Sequence, residues 1–395
     1  SGVTNTQSFL LPLQNAVTNM TVYWGDGTSD LITTYNQAEL QHGYASSGSY
    51  QITLSGSFGG ISFANTGDRL KLSSIDNWGT NQWTKAYGAF NGCSNMVANY
   101  SDTLDTSLVL NMGRMFFNCT NFNGALNIDT SNVGDFSYMM YNCINFNQII
   151  NFNTSSASNM TWMFKFCSSL NSAFSLSDTS GVGGMSQMFS GCTLFNQAVN
   201  FDMANANNLT SMFSNCINFN QIINFNAPLV TNMTQMFNGC TNFNQSVNIT
   251  TSSLLTNISY MFIRCANLDS SISISVTSSV TNMVAIFQQC TNFNQPIAFD
   301  TSSATLMSQM FYLCSNFNQD ISSFNISSLT VATIMLGGTA FSQANYDLLL
   351  PAWNAYGTSN VNFTAGNAQY STGIPATAHA AMLGRGWTIT DGGPA

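Results

Sequence analysis

The side chains best suited to chemistry in this 395-residue chain are its ten cysteines, and they are evenly spaced. They stand at Cys93, Cys119, Cys143, Cys167, Cys192, Cys216, Cys240, Cys265, Cys290 and Cys314, separated by 26, 24, 24, 25, 24, 24, 25, 25 and 24 residues. Thiols can ligate metal, form disulfides or act as nucleophiles. Zinc sites draw on cysteines about two to four residues apart, and no such pair occurs. Cysteines one repeat apart in a stacked structure would have Cα atoms ~5 Å apart, inside the bridging range. Side chains pointing in parallel into a core are nevertheless wrongly oriented to bridge. A ladder of reduced, buried thiols behaving as small hydrophobes is the expectation. A chain of disulfides in an oxidising setting is the alternative.

The other candidate catalytic groups are sparse. Two histidines, His42 and His379, stand near opposite ends of the chain, and no His-x-Glu, paired-His or Ser-His-Asp pattern can be assembled around either. Sixteen carboxylates are scattered, so only an accidental pair would offer hydrolysis. Trp24-Gly25-Asp26-Gly27 with Asp30 offers oxygens for calcium, but too few for a known loop, and reads as a turn. The expectation is a non-enzyme without cofactor or metal. Twelve Asn-x-Ser/Thr triplets, among them Asn99, Asn159, Asn232 and Asn257, permit glycosylation, though several fall where capping is the simpler role.

Composition narrows the partners. Charged residues are 6% of the chain, against roughly 25% in an average soluble protein, and Asn, Ser and Thr take their place. With seven Lys and Arg and a net charge of −9, the chain offers almost nothing to neutralise phosphates, so nucleic acid is not an expected partner. No run of 18 apolar residues exists to span a bilayer, and 30 Phe with 20 Met argue against disorder. Ser1 is not an initiator Met and no signal segment follows it, which reads as a processed or excised piece.

The elements that position the thiols follow from aligning the repeats on cysteine. Seven residues before it stand Met112, Met160, Met185, Met233 and their equivalents; four before, Met115, Met139, Met163 and Met212. Three before comes Phe116, Phe164, Phe189, Phe213 and Phe237, and three after, Phe122, Phe146, Phe195 and Phe219. The spacing i, i+3, i+4, i+7 predicts one face of a short helix. The period then becomes two, as in Ile150/Phe152 and Ile223/Phe225, which predicts a short half-buried strand. Asp129-Thr130-Ser131, Asn153-Thr154-Ser155 and Asp300-Thr301-Ser302 sit where the next helix needs its N-cap. The predicted fold is an α/β repeat, a leucine-rich-repeat-like solenoid with one parallel strand and one short helix per ~24 residues. At ~4.8 Å per strand, ten units make a rod or arc of roughly 45–50 Å.

Between the two inward strand residues, eight after the cysteine, stand Asn127, Asn151, Asn200, Asn224 and Asn248. Their side chains should form an outward polar row beside a variable one (Ala125, Ile149, Ala198, Ile222), as a binding face would; an amide ladder bonded to itself is the alternative. Phe-Asn-Gln, as in Phe146-Asn147-Gln148, reads as turn chemistry that satisfies backbone groups.

Asn232-Met233, Met236-Phe237, Cys240 and Phe243-Asn244-Gln245 resemble the bacterial surface-protein repeat of about 25 residues, a relative of the BspA-like leucine-rich repeats. Ala89-Phe90-Asn91-Gly92-Cys93 matches the Ala-Phe-x-x-Cys core of that family. Trp24-Gly25-Asp26-Gly27-Thr28, His42-Gly43-Tyr44 and Gly48 to Leu54 resemble a PKD-like β-sandwich, with Tyr50/Ile52/Leu54 as a strand. The expected organisation is a small PKD-like, sandwich-like β cap over 1–66, a solenoid of about ten to eleven cysteine-centred repeats over 67–338, and a mixed C-terminal cap over 339–395. That last region holds an amphipathic helix around Tyr346–Leu350 and Trp353 and a closing strand within 386–392, and the period runs once more to Gly338. The resemblance implies an extracellular, cell-surface or virion-surface protein that adheres to a glycan or protein. A structural fibre or coat subunit that packs against copies of itself is the alternative.

Overall fold

The structure is a computed structural model that describes residues 7–14 and 17–395. Ser1, on which the processed-chain reading rests, lies outside the described residues. Two compact units divide the chain, Ser1–Val182 and Gly183–Ala395, and both are repeat β-solenoid with few helices.

The short helix expected in each repeat is not formed. In its place stand two four-residue turns back to back. Around Cys119, the Met115 N–H donates to the Met112 carbonyl (3.1 Å) and the Cys119 N–H to the Phe116 carbonyl (3.0 Å). The third residue of each turn is left-handed, Arg114 at φ 57° and Asn118 at φ 59°, the type II signature. The same pair of left-handed positions recurs as Gln235 and Gly239 before Cys240, and as Gln309 and Leu313 before Cys314. Alternate N–H groups leave the coil: Met112, Arg114, Phe116 and Asn118 donate to the carbonyls of Asp135, Ser137, Met139 and Tyr141 on the next coil, at 2.8–3.0 Å. A helix would have consumed those donors internally. The first and last residues of two successive turns fall at i, i+3, i+4 and i+7, so the apolar spacing is common to both conformations.

The inward corners stack from coil to coil. In the second unit Phe189, Phe213, Phe237, Phe262, Phe287 and Phe311 form a column with centroids 5.3–5.7 Å apart and planes within 8°. In the first unit Phe90 stacks on Phe116 at 5.4 Å. Burial contributes ~1.5–3 kcal/mol per ring and pairing adds ~0.5–1.5, which a single repeat could not collect alone.

The expected strands are present where pairing is continuous. In the first unit β1 (Ser8–Leu10) pairs antiparallel with β4 (Gln41–Gly43), and β2 (Val17–Tyr23) lies between β3 (Ser29–Ile32) and β5 (Thr53–Phe58), also antiparallel. Tyr50 and Ile52 precede β5, so the strand predicted over them begins later. Parallel pairing starts with β6 (Ser74–Ile75) on β7 (Val97–Ala98) and continues with β8 (Ile150–Phe152) on β9 (Phe174–Leu176). In the second unit β10 (Ile223–Asn226), β11 (Val247–Thr250) and β12 (Ile272–Ile274) form one parallel sheet, with residues alternately buried and exposed.

Among the described residues the α-helices occur only towards the C-terminus, and the first unit has two single-turn 3-10 helices, Ala38–Leu40 and Arg69–Lys71. β13 (Val331–Ala332), β14 (Asn362–Thr364) and β15 (Thr388–Thr390) pair in parallel and are connected by α1 (Gln343–Asn354) and α2 (Ile374–Gly384). α1 covers the expected helix, with Ser342 as N-cap and Tyr346, Leu349, Leu350 and Trp353 buried. The last coil corrects the repeat register. Leu313 donates to Gly337 and the Thr339 N–H to Leu336, matching Gln289 to Tyr312 and Cys314 to Phe311. Thr339, not Gly338, therefore takes the cysteine position. No helix among the described residues is long and apolar enough to cross a membrane.

Candidate binding surface

All ten cysteines are buried and unbridged. Their thiols do more than fill space. Cys119, Cys143 and Cys167 donate to the carbonyls of Phe90, Phe116 and Met140, and Cys216, Cys240, Cys265, Cys290 and Cys314 to those of Phe189, Phe213, Phe237, Phe262 and Phe287, at 2.8–3.0 Å. Burial pushes Cys167 and Cys314 up to about 12 and Cys119, Cys143, Cys216, Cys265 and Cys290 well above the ordinary thiol value, the opposite of what activates a thiol nucleophile.

The histidines each meet a carboxylate. His42 Nε2 lies 2.8 Å from Asp26 Oδ2 and its ring stacks on Trp24 at 4.7 Å. Thr28 Oγ1 is 3.5 Å from that same nitrogen, so hydroxyl and carboxylate compete for one edge of the ring and no relay passes through it. Hydrogen bonds from Thr28 and His42 hold Asp26 down at about 2. Asp30 accepts the Trp24 indole N–H at 2.7 Å. The two carboxylates of the suggested calcium loop therefore brace a turn, and no metal-competent group of three His, Cys, Asp or Glu occurs among the described residues. Asp391 Oδ2 accepts the hydroxyl of buried Tyr346 at 2.7 Å; His379 Nε2 lies 3.1 Å from the same oxygen but makes no hydrogen bond to it. The Tyr346–Asp391 bond between α1 and the segment after β15 has no signal in the sequence, because its members are 45 residues apart.

The polar residues predicted as caps act on turns. Asp129, Asn153 and Asp300 accept the N–H two residues on, from Ser131, Ser155 and Ser302. Asn159, Asn232 and Asn257, from the glycosylation triplets, do the same for Thr161, Thr234 and Ser259. Phe-Asn-Gln forms the true amide ladder. In the second unit the side-chain oxygens of Asn196, Asn220 and Asn244 accept the N–H of Asn220, Asn244 and Asp269 on successive coils, at 2.8–2.9 Å. In the first unit Asn123 and Asn147 do likewise for Asn147 and Asn171.

That leaves the strand-face row available. Asn127, Asn151, Asn200, Asn224 and Asn248 are all exposed. Asn224, Asn248 and Ser273 stand side by side on β10–β12, and one amide pair closes, Asn248 Nδ2 to Asn224 Oδ1 at 3.2 Å. Asn151 faces Ser175 across β8 and β9, while Asn127 and Asn200 lie outside named strands. In the first unit this face forms a groove of about 830 Å³ whose lining includes Asn127, Asn151, Gln148, Asp105, Asp129 and Ile149, the last 67% exposed. Hydrogen bonds from Ser107 hold Asp105 below its ordinary value, the opposite of what a glycosidic general acid requires.

The family described as "Mycoplasma protein of unknown function, DUF285" matches the chain over residues 61–176, 126–221, 158–273 and 256–370. No protein of curated function and no solved structure matches. Overlapping matches from residue 61 to residue 370 follow the same repeats that build the coils, and the chain belongs to the DUF285 family.

Proposed function

We propose that this chain is a non-enzymatic binding module of an extracellular, cell or virion surface, which adheres to a glycan or protein through its strand face. The observation that carries this reading is the groove of the first unit, lined by the exposed Asn127 and Asn151, by Gln148, whose amide donates to Asn123, and by an exposed Ile149. Amides fix hydroxyl or peptide groups in orientation while an apolar centre supplies burial. The thiols are inert, and Asp105 is tuned away from acid catalysis. Ala89–Cys93 supports kinship with BspA-like repeats. The antiparallel β1–β5 region serves as a PKD-like cap and the α1–α2 region as a second cap, since solenoid ends need covering.

Purified chain applied to a glycan array and to host-surface proteins, beside an Asn127→Lys/Asn151→Lys variant, tests this. Selective binding lost in the variant is expected; binding to nothing overturns the reading. Sparse charge, 6% of residues, favours a second reading as a self-assembling structural subunit, which ordered assemblies in light scattering would support.

A further inference from the structure

Three consecutive coils of the first unit carry large aromatics on their outward turn positions. Tyr138 and Trp162 stand five residues before a cysteine, Phe117 and Tyr141 two before, and Phe166 one before. The turns do not require them. In the second unit the same positions hold Gln187, Ser211 and Gln235, then Ser190 and Ser214, then Gly191 and Gly239, and the aromatics that do recur there, Tyr260 and Tyr312, stand two coils apart rather than on consecutive coils. Tyr138, Trp162 and Phe166 also occupy left-handed backbone, at φ 58°, 63° and 65°, which bulky side chains disfavour. Backbone strain accepted for rings that the fold does not need points to a use on the surface.

The rings form a rib along the coils. Phe117 stacks on Tyr141 at 4.5 Å and 6°, and Tyr141 on Trp162 at 6.0 Å and 20°. Phe166 stands at 76° to Tyr141, out of the stack, with 41% of its surface exposed. A cation closes each end: Arg114 lies over Tyr138 at 5.0 Å and Phe117 at 5.7 Å, and Lys165 over Trp162 at 3.9 Å. Two of the seven basic residues in a chain of net charge −9 are thus gathered on one aromatic strip. Arg114 and Lys165 are two coils apart, ~10 Å at one strand spacing per coil.

We propose that this rib binds an acidic polysaccharide, its sugar rings lying on the aromatic strip and carboxylates of alternate sugars meeting Arg114 and Lys165. Aromatic surface accepts the C–H faces of sugars, and cations set over rings present their outer N–H donors to carboxylates. Two cations suit sparsely spaced carboxylates and fall short of a polyphosphate track, which argues against a nucleic-acid strand. The inference rests on the binding-module reading and names a second surface with its ligand class.

The test uses the full chain and hyaluronan oligosaccharides, which carry glucuronate on alternate sugars, with neutral dextran and oligothymidylate as comparisons, all by titration calorimetry. Tyr138→Gln/Trp162→Gln installs residues already tolerated at this position in the second unit, and circular dichroism checks its fold. Hyaluronan binding that falls at least tenfold in this variant, weakens in Arg114→Gln and on adding salt, and persists in Tyr260→Gln is the expected result. Absence of hyaluronan binding, equal binding in the double variant, or stronger binding of dextran or oligothymidylate overturns the proposal. If glycan binding is lost only in Asn127→Lys/Asn151→Lys, this inference fails while the binding-module reading stands.

Discussion

Raising pH should dismantle the solenoid through its thiols. In the folded chain Cys167 and Cys314 are pushed from an ordinary 9.0 up to about 12 by burial, and neighbours such as Cys216, Cys265 and Cys290 are raised well above it for the same reason. Folded thiols keep their protons where unfolded ones have lost them. Their contribution is complete below the unfolded value of 9.0 and is lost as pH rises towards the folded value. One pKa unit corresponds to ~1.4 kcal/mol, so at about pH 10.5 each such thiol costs ~2 kcal/mol of stability. Three adjacent coils then lose ~6 kcal/mol, comparable with the 5–15 kcal/mol that holds a typical domain together. Urea titrations followed by far-ultraviolet circular dichroism between pH 8 and about pH 10.5 should show the midpoint falling steeply above pH 9. Tyr44, also raised to about 12, pushes the same way, so thiolate absorbance must be followed in parallel. Thiolate should appear only with unfolding. A smooth thiolate titration centred near pH 9 in a chain that keeps its native spectrum would refute the buried ladder.

Phe237→Ala removes a ring stacked on both Phe213 and Phe262, and should cost ~3–5 kcal/mol in urea denaturation, because the flanking rings cannot close the gap. Asn220→Ala strips the acceptor from the Asn244 N–H and should cost ~1 kcal/mol, whereas Asn224→Ala on the exposed strand face should stay within ~0.5 kcal/mol. Equal losses for the two asparagines would mean that the load-sharing ladder runs along the strand face after all.

Sequence alone determined the composition of the interior. A column of Met, Phe and Cys repeating every 24 to 26 residues can be buried only if the units stack, so the repeat, the core and the inward pairs Ile150/Phe152 and Ile223/Phe225 were all legible. The exposed asparagine row was legible too, because alternation in a strand fixes which side chains face out. The short helix expected in each repeat was wrong, because the sequence does not show where the backbone donors go. Met112, Met115, Phe116 and Cys119 have one spacing in a helix and in two consecutive turns, and the choice fell to the next coil, whose carbonyls accept the N–H groups of Arg114 and Asn118. Glycine or asparagine just before the cysteine, as in Gly191, Gly239, Asn118 and Asn142, was the local hint of left-handed backbone. The amide ladder of Phe-Asn-Gln, the Tyr346–Asp391 bond and the aromatic rib belong to tertiary structure for the same reason. Each joins residues from different coils or elements, and contacts across about 24 residues or more leave no periodic trace within any one of them.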